Sequence, residues 1–225
     1  MRSAGRTTRL YRNGVLHTAY HPDRILGGSV WDLLFLPAFL RADRDIKRVL
    51  VLGVGGGALL HMYRRVFAPR KLVGVDIDSV HLHIAKQFFD LNDKNQDLIL
   101  DDGVAWARRY QGEPFDIVIE DMFTERDQQP VRLMHAQVEW LNTLRNLTRP
   151  GGLLIINHGD LREAKFTKKY LLESGCAISF SLPHLHNRVL AYGQQALDMS
   201  CYRKQLKHYP QLDPAYVERI STRAC

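Results

Sequence analysis

Residues 49–78 constrain this chain more than any other stretch. An apolar run over residues 49–52 breaks into Gly53, Gly55, Gly56 and Gly57, a helical stretch follows, and a second apolar run over residues 72–75 ends on Asp76. The pattern predicts a strand, a tight glycine turn, a helix and a second strand tipped by a carboxylate. Glycine lets the backbone turn sharply and approach a ligand with no Cβ in the way, and the helix that starts there presents unpaired N–H groups. A carboxylate ending the next strand can accept hydrogen bonds from both hydroxyls of a ribose. A nucleoside-containing cofactor is therefore the first functional expectation.

Ahead of that stretch, residues 10–20 place Asn13-Gly14 between two short β-forming segments, which predicts a hairpin. Gly27 and Gly28 open a loop, Ser29 caps a helix through Trp31, Leu33, Leu34 and Leu36, and Pro37 kinks or stops it. That helix is apolar almost all round, so it is expected beneath the sheet edge. Beyond Asp76, Val80, Ile84, Phe88 and Leu91 recur at helical spacing and define an expected buried face. Strands over 97–100 and 115–119 end in Asp101-Asp102-Gly103 and in Glu120-Asp121, with a helix over 104–110 between them. A charged loop over 124–130 leads into a helix over 131–147. The Arg149-Pro150-Gly151-Gly152 turn then precedes a buried strand over 153–156, and His158 follows as a candidate wall residue. A helix over 162–173 and strands over 177–182 and 188–192 complete the pattern.

This alternation predicts an α/β, Rossmann-like fold: a mostly parallel, seven-stranded sheet with helices on both faces, preceded by the short β hairpin. The expected division is an N-terminal hairpin and helix extension over 1–45, a nucleotide-binding domain over 46–195 and a weakly helical tail over 196–225. Ligands of such sheets sit outside the carboxyl ends of the strands, which here carry Gly53, Asp76, Asp102, Asp121 and His158.

With 225 residues and 45% hydrophobic content the chain can bury one sizeable core. Its formal charge of +7 suits an anionic partner, yet the charge is spread along the chain, so nucleic acid is not the favoured partner. Arg2, Arg6, Arg9 and Arg12 stand in a first segment of 22 residues that has no acid, and a solvated basic arm is expected there. Cys176, Cys201 and Cys225 are too scattered for a disulfide framework or a zinc knuckle. No apolar run approaches the ~18 residues of a membrane span. With no secretory segment at the start, a cytoplasmic setting is expected. The triplets at His81/His83 and His184/His186 invite a metal reading, but residues two apart on a helix face different ways, and no metal is expected.

Gly53, Gly55 and Ala58 satisfy G-x-G-x-x-A with Asp76 placed for a NAD ribose, so the opening stretch alone fits NAD or S-adenosylmethionine. The later strand ends separate them. VLVLGVGGG, VDIDSVHLHIAKQFF, DDGVAWAR, FDIVIED and LTRPGGLLIIN occur in that order. They resemble successive motifs of the class I S-adenosylmethionine-dependent methyltransferase fold and, within it, of the spermidine synthase family of aminopropyltransferases. The resemblance runs from about Leu10 to Tyr192. It implies that Asp76 holds the ribose hydroxyls, that Asp102, with Gly103 beside it, accepts from the adenine amine, and that Gly53, Gly55 and Gly57 line the turn under the methionine-derived portion. It also implies that Asp121 is the active-site acid that assists loss of an amine proton.

Two departures bear on the substrate. That family usually has an aspartate where this chain has Gly56, and a second active-site aspartate where this chain has Met122, Phe123 and Thr124. The first acid would hold the ammonium of the decarboxylated donor and the second would face a cationic polyamine; Glu120 or Glu125 is the candidate to replace the second. The expected function is accordingly a spermidine synthase-like transferase that binds S-adenosylmethionine or its decarboxylated form, with methyl transfer to an unidentified acceptor ahead of aminopropyl transfer in polyamine synthesis. A NAD-dependent oxidoreductase and an inactive nucleotide- or RNA-binding module are the alternatives. The expected partner is a small-molecule acceptor, an amine among the candidates, with a homodimer left open.

Overall fold

A computed structural model describes residues 2–12, 14–41, 46–89, 91, 94–126, 129–134 and 137–224, excluding the side chains of residues 12, 125, 126, 129 and 130. The chain opens with β1 (Arg2–Ala4), β2 (Thr7–Arg12) and β3 (Val15–Tyr20), then α1 (Val30–Phe35) and a 3-10 turn over Leu36–Leu40. An alternating α/β core follows as β4 (Arg48–Leu52), α2 (Ala58–Phe67), β5 (Lys71–Asp76), α3 (Ser79–Phe89), β6 (Gln96–Leu100), α4 (Gly103–Arg109) and β7 (Phe115–Glu120). Next come β8 (Phe123–Arg126), β9 (Gln129–Arg132), α5 (Val138–Leu147), β10 (Thr148–His158), α6 (Leu161–Leu172), β11 (Cys176–Ser181) and β12 (Arg188–Gly193). The tail supplies α7 (Met199–Leu206), α8 (Pro214–Val217) and β13 (Ser221–Ala224).

The main sheet has eight strands in the order β13-β11-β12-β10-β7-β4-β5-β6. β6, β5, β4, β7 and β10 run parallel, and β12, β11 and β13 are added antiparallel. Strands buried on both faces read as continuous apolar runs, and β4 shows why. Val49 and Val51 enter the core under α1, α2 and α3, while Leu50 and Leu52 enter the core under α4 and α5. Each side chain on this strand therefore has a helix to pack against, whichever face it takes.

Several expectations change. The strand count is eight rather than seven, because the tail residues of β13 pair with β11 along the sheet edge. The segment from Arg2 is exposed, as expected of a solvated arm, but it pairs as β1 and extends the expected β2–β3 hairpin to three strands. Arg12 lies opposite Val15 in that hairpin, and Asn13 is outside the described residues. Helix α1 packs on α2 and β10, inside the sheet face and not at its edge. On α3 the buried residues are His81, Leu82, Ile84, Ala85 and Phe89, whereas Val80 and Phe88 are exposed. The stripe is rotated from the one expected because α3 docks by the small Ala85, whose Cβ would lie 2.8 Å from a Cβ at Gly57. Residues 129–132 form β9, paired with β8, so the helix expected from 131 starts at Val138. The Arg149-Pro150-Gly151-Gly152 turn is drawn into β10 as an irregularity between Thr148 and Leu153. No helix among the described residues is long and apolar enough to cross a membrane.

Candidate active site

A cavity of about 550 Å³ opens at the carboxyl ends of β4, β5 and β7, where the parallel register brings Leu52 level with Val75 and Glu120. Gly53, Gly55, Asp76, Asp102, Gly103 and Asp121 all line it. Gly57 does not; its α-carbon faces Ala85 and Leu91, so it serves the docking of α2 on α3.

At Gly53 the turn requires glycine. Its φ is +89°, and a Cβ there would fall 2.2 Å from the Asp121 carbonyl oxygen. The Gly53 N–H donates to the Val75 carbonyl at 2.9 Å and the Asp121 N–H to the Leu52 carbonyl at 2.8 Å, which locks the three strand ends together. Asp76 organises the turn from the next strand. Its Oδ2 accepts the N–H groups of Val54 and Gly55 at 2.8 and 2.9 Å, and its Oδ1 accepts that of Asp78 at 2.8 Å. His81 Nδ1 stands 3.4 Å from Asp76 Oδ1, which is why a polar residue occupies the inner face of α3. Asp102 caps α4, with Oδ1 accepting the Ala105 N–H at 2.8 Å while the residue remains on the cavity wall.

Asp121 has the most altered chemistry. Burial raises its pKa to about 7; the hydrogen bond from Asn157 opposes the rise and the charge of Glu120 adds to it. A carboxylate tuned to that range can take up a proton near neutrality. Asn157 Nδ2 donates to Asp121 Oδ1 at 2.7 Å, and Asn187 Nδ2 donates to Asn157 Oδ1 at 3.0 Å. These two amides, both on the cavity wall, were not singled out from the sequence. The signal that could have found Asn157 is its position at the end of the fifth parallel strand, level with the acid-tipped fourth.

Glu120 and His158 fall on the opposite face, as strand alternation demands. Glu120 is fully buried, ion-paired to Arg132, which also holds Glu163 at 2.5 Å. It does not reach the cavity and supplies no replacement for a missing acid, while the Glu125 side chain lies outside the described residues. His158, expected as a wall residue, is likewise fully buried and absent from the wall. Its Nδ1–H donates to the Arg188 carbonyl at 3.2 Å, its Nε2 meets the Thr167 hydroxyl at 2.9 Å, and burial lowers its pKa to about 3, which keeps the ring neutral.

The cavity wall is acidic in a basic protein. Asp76, Asp78, Asp102 and Asp121 line it, and no lysine or arginine does among the described residues. A cationic ligand is electrostatically favoured there. Exposed Ile77, next to Asp76, adds an apolar surface against which a flat base can lie. Over the glycine turn β3 forms a roof: a Cβ at Gly55 would lie 2.6 Å from the His17 carbonyl oxygen, and one at Gly56 only 2.3 Å from Thr18 Cγ2. Thr18 is buried, with its Oγ1 accepting the Ala58 N–H at 3.3 Å, so it has little freedom to withdraw.

Comparison with known proteins agrees with this geometry. The spermine/spermidine synthase domain matches residues 35–198. An eEF1A lysine and N-terminal methyltransferase homolog of Drosophila melanogaster is 28% identical over 123 residues, which cover 51% of this chain and 18% of that protein. Polyamine aminopropyltransferase 2 of Caldanaerobacter subterraneus is 32% identical over 107 residues, covering 46% of this chain and 35% of that protein. The chain thus spans well under half the length of either relative. In fold, it is similar to the crystal structure of a probable spermidine synthase from Corynebacterium glutamicum, with a TM-score of 0.70 at 19% identity over 86% of this chain and 77% of that one.

Proposed function

The chain belongs to the spermine/spermidine synthase domain family, and from that premise we propose that it is a transferase using S-adenosylmethionine, with methyl transfer favoured over aminopropyl transfer from the decarboxylated donor. The cavity fits such a group. The glycine turn is a cradle that a side chain at Gly53 would fill, and the acidic wall suits a sulfonium cation. When bound, the donor offers a carbon that is attacked by the acceptor's lone pair as the carbon–sulfur bond breaks and its electron pair returns to sulfur.

The residues of this chain bind and orient. Asp76, fixed by the turn's own N–H groups, retains acceptor capacity for a ribose hydroxyl, since a carboxylate has about four lone-pair sites. Asp102 and Gly103 face the base, and Gly53 and Gly55 leave room for the remainder. Asp121, held by Asn157, takes the acceptor's proton and aligns the nucleophile. Its raised pKa makes it a better base for an ammonium-type proton than an ordinary surface carboxylate.

The observation that carries the preference for methyl transfer is Thr18 packed onto Gly56. The position from which an acid would hold the ammonium of a decarboxylated donor is filled by the N-terminal sheet. Aminopropyl transfer stands as the second reading because the acidic wall would also attract a diamine. The test offers the full chain S-adenosylmethionine with a panel of amines and peptides, and separately decarboxylated S-adenosylmethionine with putrescine. S-adenosylhomocysteine production from the first mixture is expected. Efficient conversion of the second to spermidine and methylthioadenosine, with no methyl transfer to any acceptor tried, overturns the preference.

A further inference from the structure

A second cavity of about 320 Å³ adjoins the first, and the two share Leu16 and Trp31 as a common wall. Its electrostatics are the reverse of its neighbour's. Arg9 from β2, Arg24 from the loop after β3 and Arg65 from α2 line it, and the one carboxylate on its wall among the described residues is Asp32. That carboxylate is already committed. It is 1% exposed and accepts the N–H groups of Gly27, Gly28 and Ser29 at 3.1, 2.7 and 3.2 Å and the Tyr216 hydroxyl at 2.7 Å. Its oxygens are thus occupied by neutral donors, and it makes no ion pair with the three guanidinium groups. Arg65 donates to the Pro22 carbonyl at 2.8 Å, a contact that leaves its charge uncompensated, and Arg9 and Arg24 have no ion-pair partner among the described residues.

We propose that this second cavity binds the anionic end of the acceptor, a carboxylate-bearing molecule whose nucleophile reaches the first cavity past Leu16 and Trp31. The assignment rests on the transferase reading for the word acceptor and on the arginines for the charge. Three guanidinium groups around a small cavity repel a polyamine and recognise a planar carboxylate through paired N–H donors. Charge is thereby divided between two compartments: the cationic donor lies among aspartates and the anionic end of the acceptor among arginines, which discourages either from entering the other's place.

The experiment titrates succinate and putrescine, four-carbon chains of opposite charge, into the full chain with and without S-adenosylhomocysteine. Succinate binds and putrescine does not enter the second cavity. Arg9→Gln with Arg24→Gln weakens succinate about tenfold, the loss of charge-assisted hydrogen bonds, and leaves S-adenosylhomocysteine affinity unchanged. Should Arg9→Gln impair folding, Arg24→Gln alone, at an exposed position, weakens succinate about threefold. Succinate that fails to bind, or that binds the variants equally well, overturns the proposal. So does a double variant that loses S-adenosylhomocysteine but keeps methylthioadenosine, because the arginines would then serve the donor's carboxylate. If the unaltered chain binds succinate and no S-adenosylhomocysteine, the cavity assignment holds and the transferase reading falls.

Discussion

Thr18 occupies the space that a side chain at position 56 would need, with its Cγ2 2.3 Å and its Cβ 2.8 Å from a Cβ built on Gly56. An acid introduced there meets a buried, β-branched neighbour and not an open cavity. Gly56→Asp is therefore predicted to destabilise the protein by about 2–3 kcal/mol, the scale of an overpacked core position. Adding Thr18→Gly in the same chain recovers part of that loss. Denaturant unfolding of the single and double variants measures both. A stable Gly56→Asp protein that makes spermidine would contradict the packing argument.

Asp121 combines a burial cost with a proposed chemical role. Its pKa of about 7 lies well above the ordinary 3.8, so between those values the folded state holds a proton that the unfolded state has released. Stability contributed by this group is full below pH 3.8 and is lost as pH rises through about 7. Asp121→Asn removes the cost: about 1–2 kcal/mol of stability is gained at pH 8, after discounting for the group's contact with the cavity. Turnover falls about 10²–10⁴-fold, while S-adenosylhomocysteine binding stays within about threefold. Thermal unfolding and steady-state kinetics on one preparation read the two effects.

Asn157 acts through Asp121, and pH profiles separate that role from a merely structural one. Its hydrogen bond favours the charged carboxylate, so Asn157→Ala should move the apparent acidic midpoint of the pH–rate profile upward from about 7. A variant that lowers the rate with an unmoved midpoint would place Asn157 outside the proton-transfer step.

His158 gives the opposite pH signature. Burial lowers its pKa from 6.5 to about 3, so in that interval the unfolded state binds the extra proton and stability falls as pH falls. His158→Gln is predicted to flatten this slope. The comparison is cleanest in an Asp121→Asn background, where the opposing slope is removed. Urea midpoints across the interval supply the measurement.

The parallel half of the sheet is legible in the sequence for a simple physical reason. Each central strand is buried on both faces and ends abruptly on glycine or an acid, as at Leu52-Gly53, Val75-Asp76 and Glu120-Asp121. What the sequence conceals depends on contacts between distant segments. Asn187 reaches Asn157 because β12 runs antiparallel to β10 with Arg188 opposite His158, and no local pattern announces that register. The residues of β13 are mostly exposed and show no apolar alternation; they become a strand by pairing with β11. The roof over the glycine turn is hidden in the same way. Gly56 carries no sign in its own neighbourhood that Thr18, far earlier in the chain, fills the space beside it.

The same logic explains why neither the candidate replacement acid Glu120 nor the candidate wall residue His158 reaches the cavity. Glu120 and His158 stand next to Asp121 and Asn157 in sequence, but one step along a strand reverses the face. Adjacent residues were thus sent to Arg132 and Thr167 on one side and to the cavity on the other.

The central claim, that this cavity binds an S-adenosyl donor, is tested most directly by calorimetric titration of the full chain with S-adenosylhomocysteine and with NADH. The account predicts one S-adenosylhomocysteine per chain, affinity reduced at least about tenfold by Asp76→Ala, and no binding of NADH. Saturable binding of NADH with none of S-adenosylhomocysteine would contradict it.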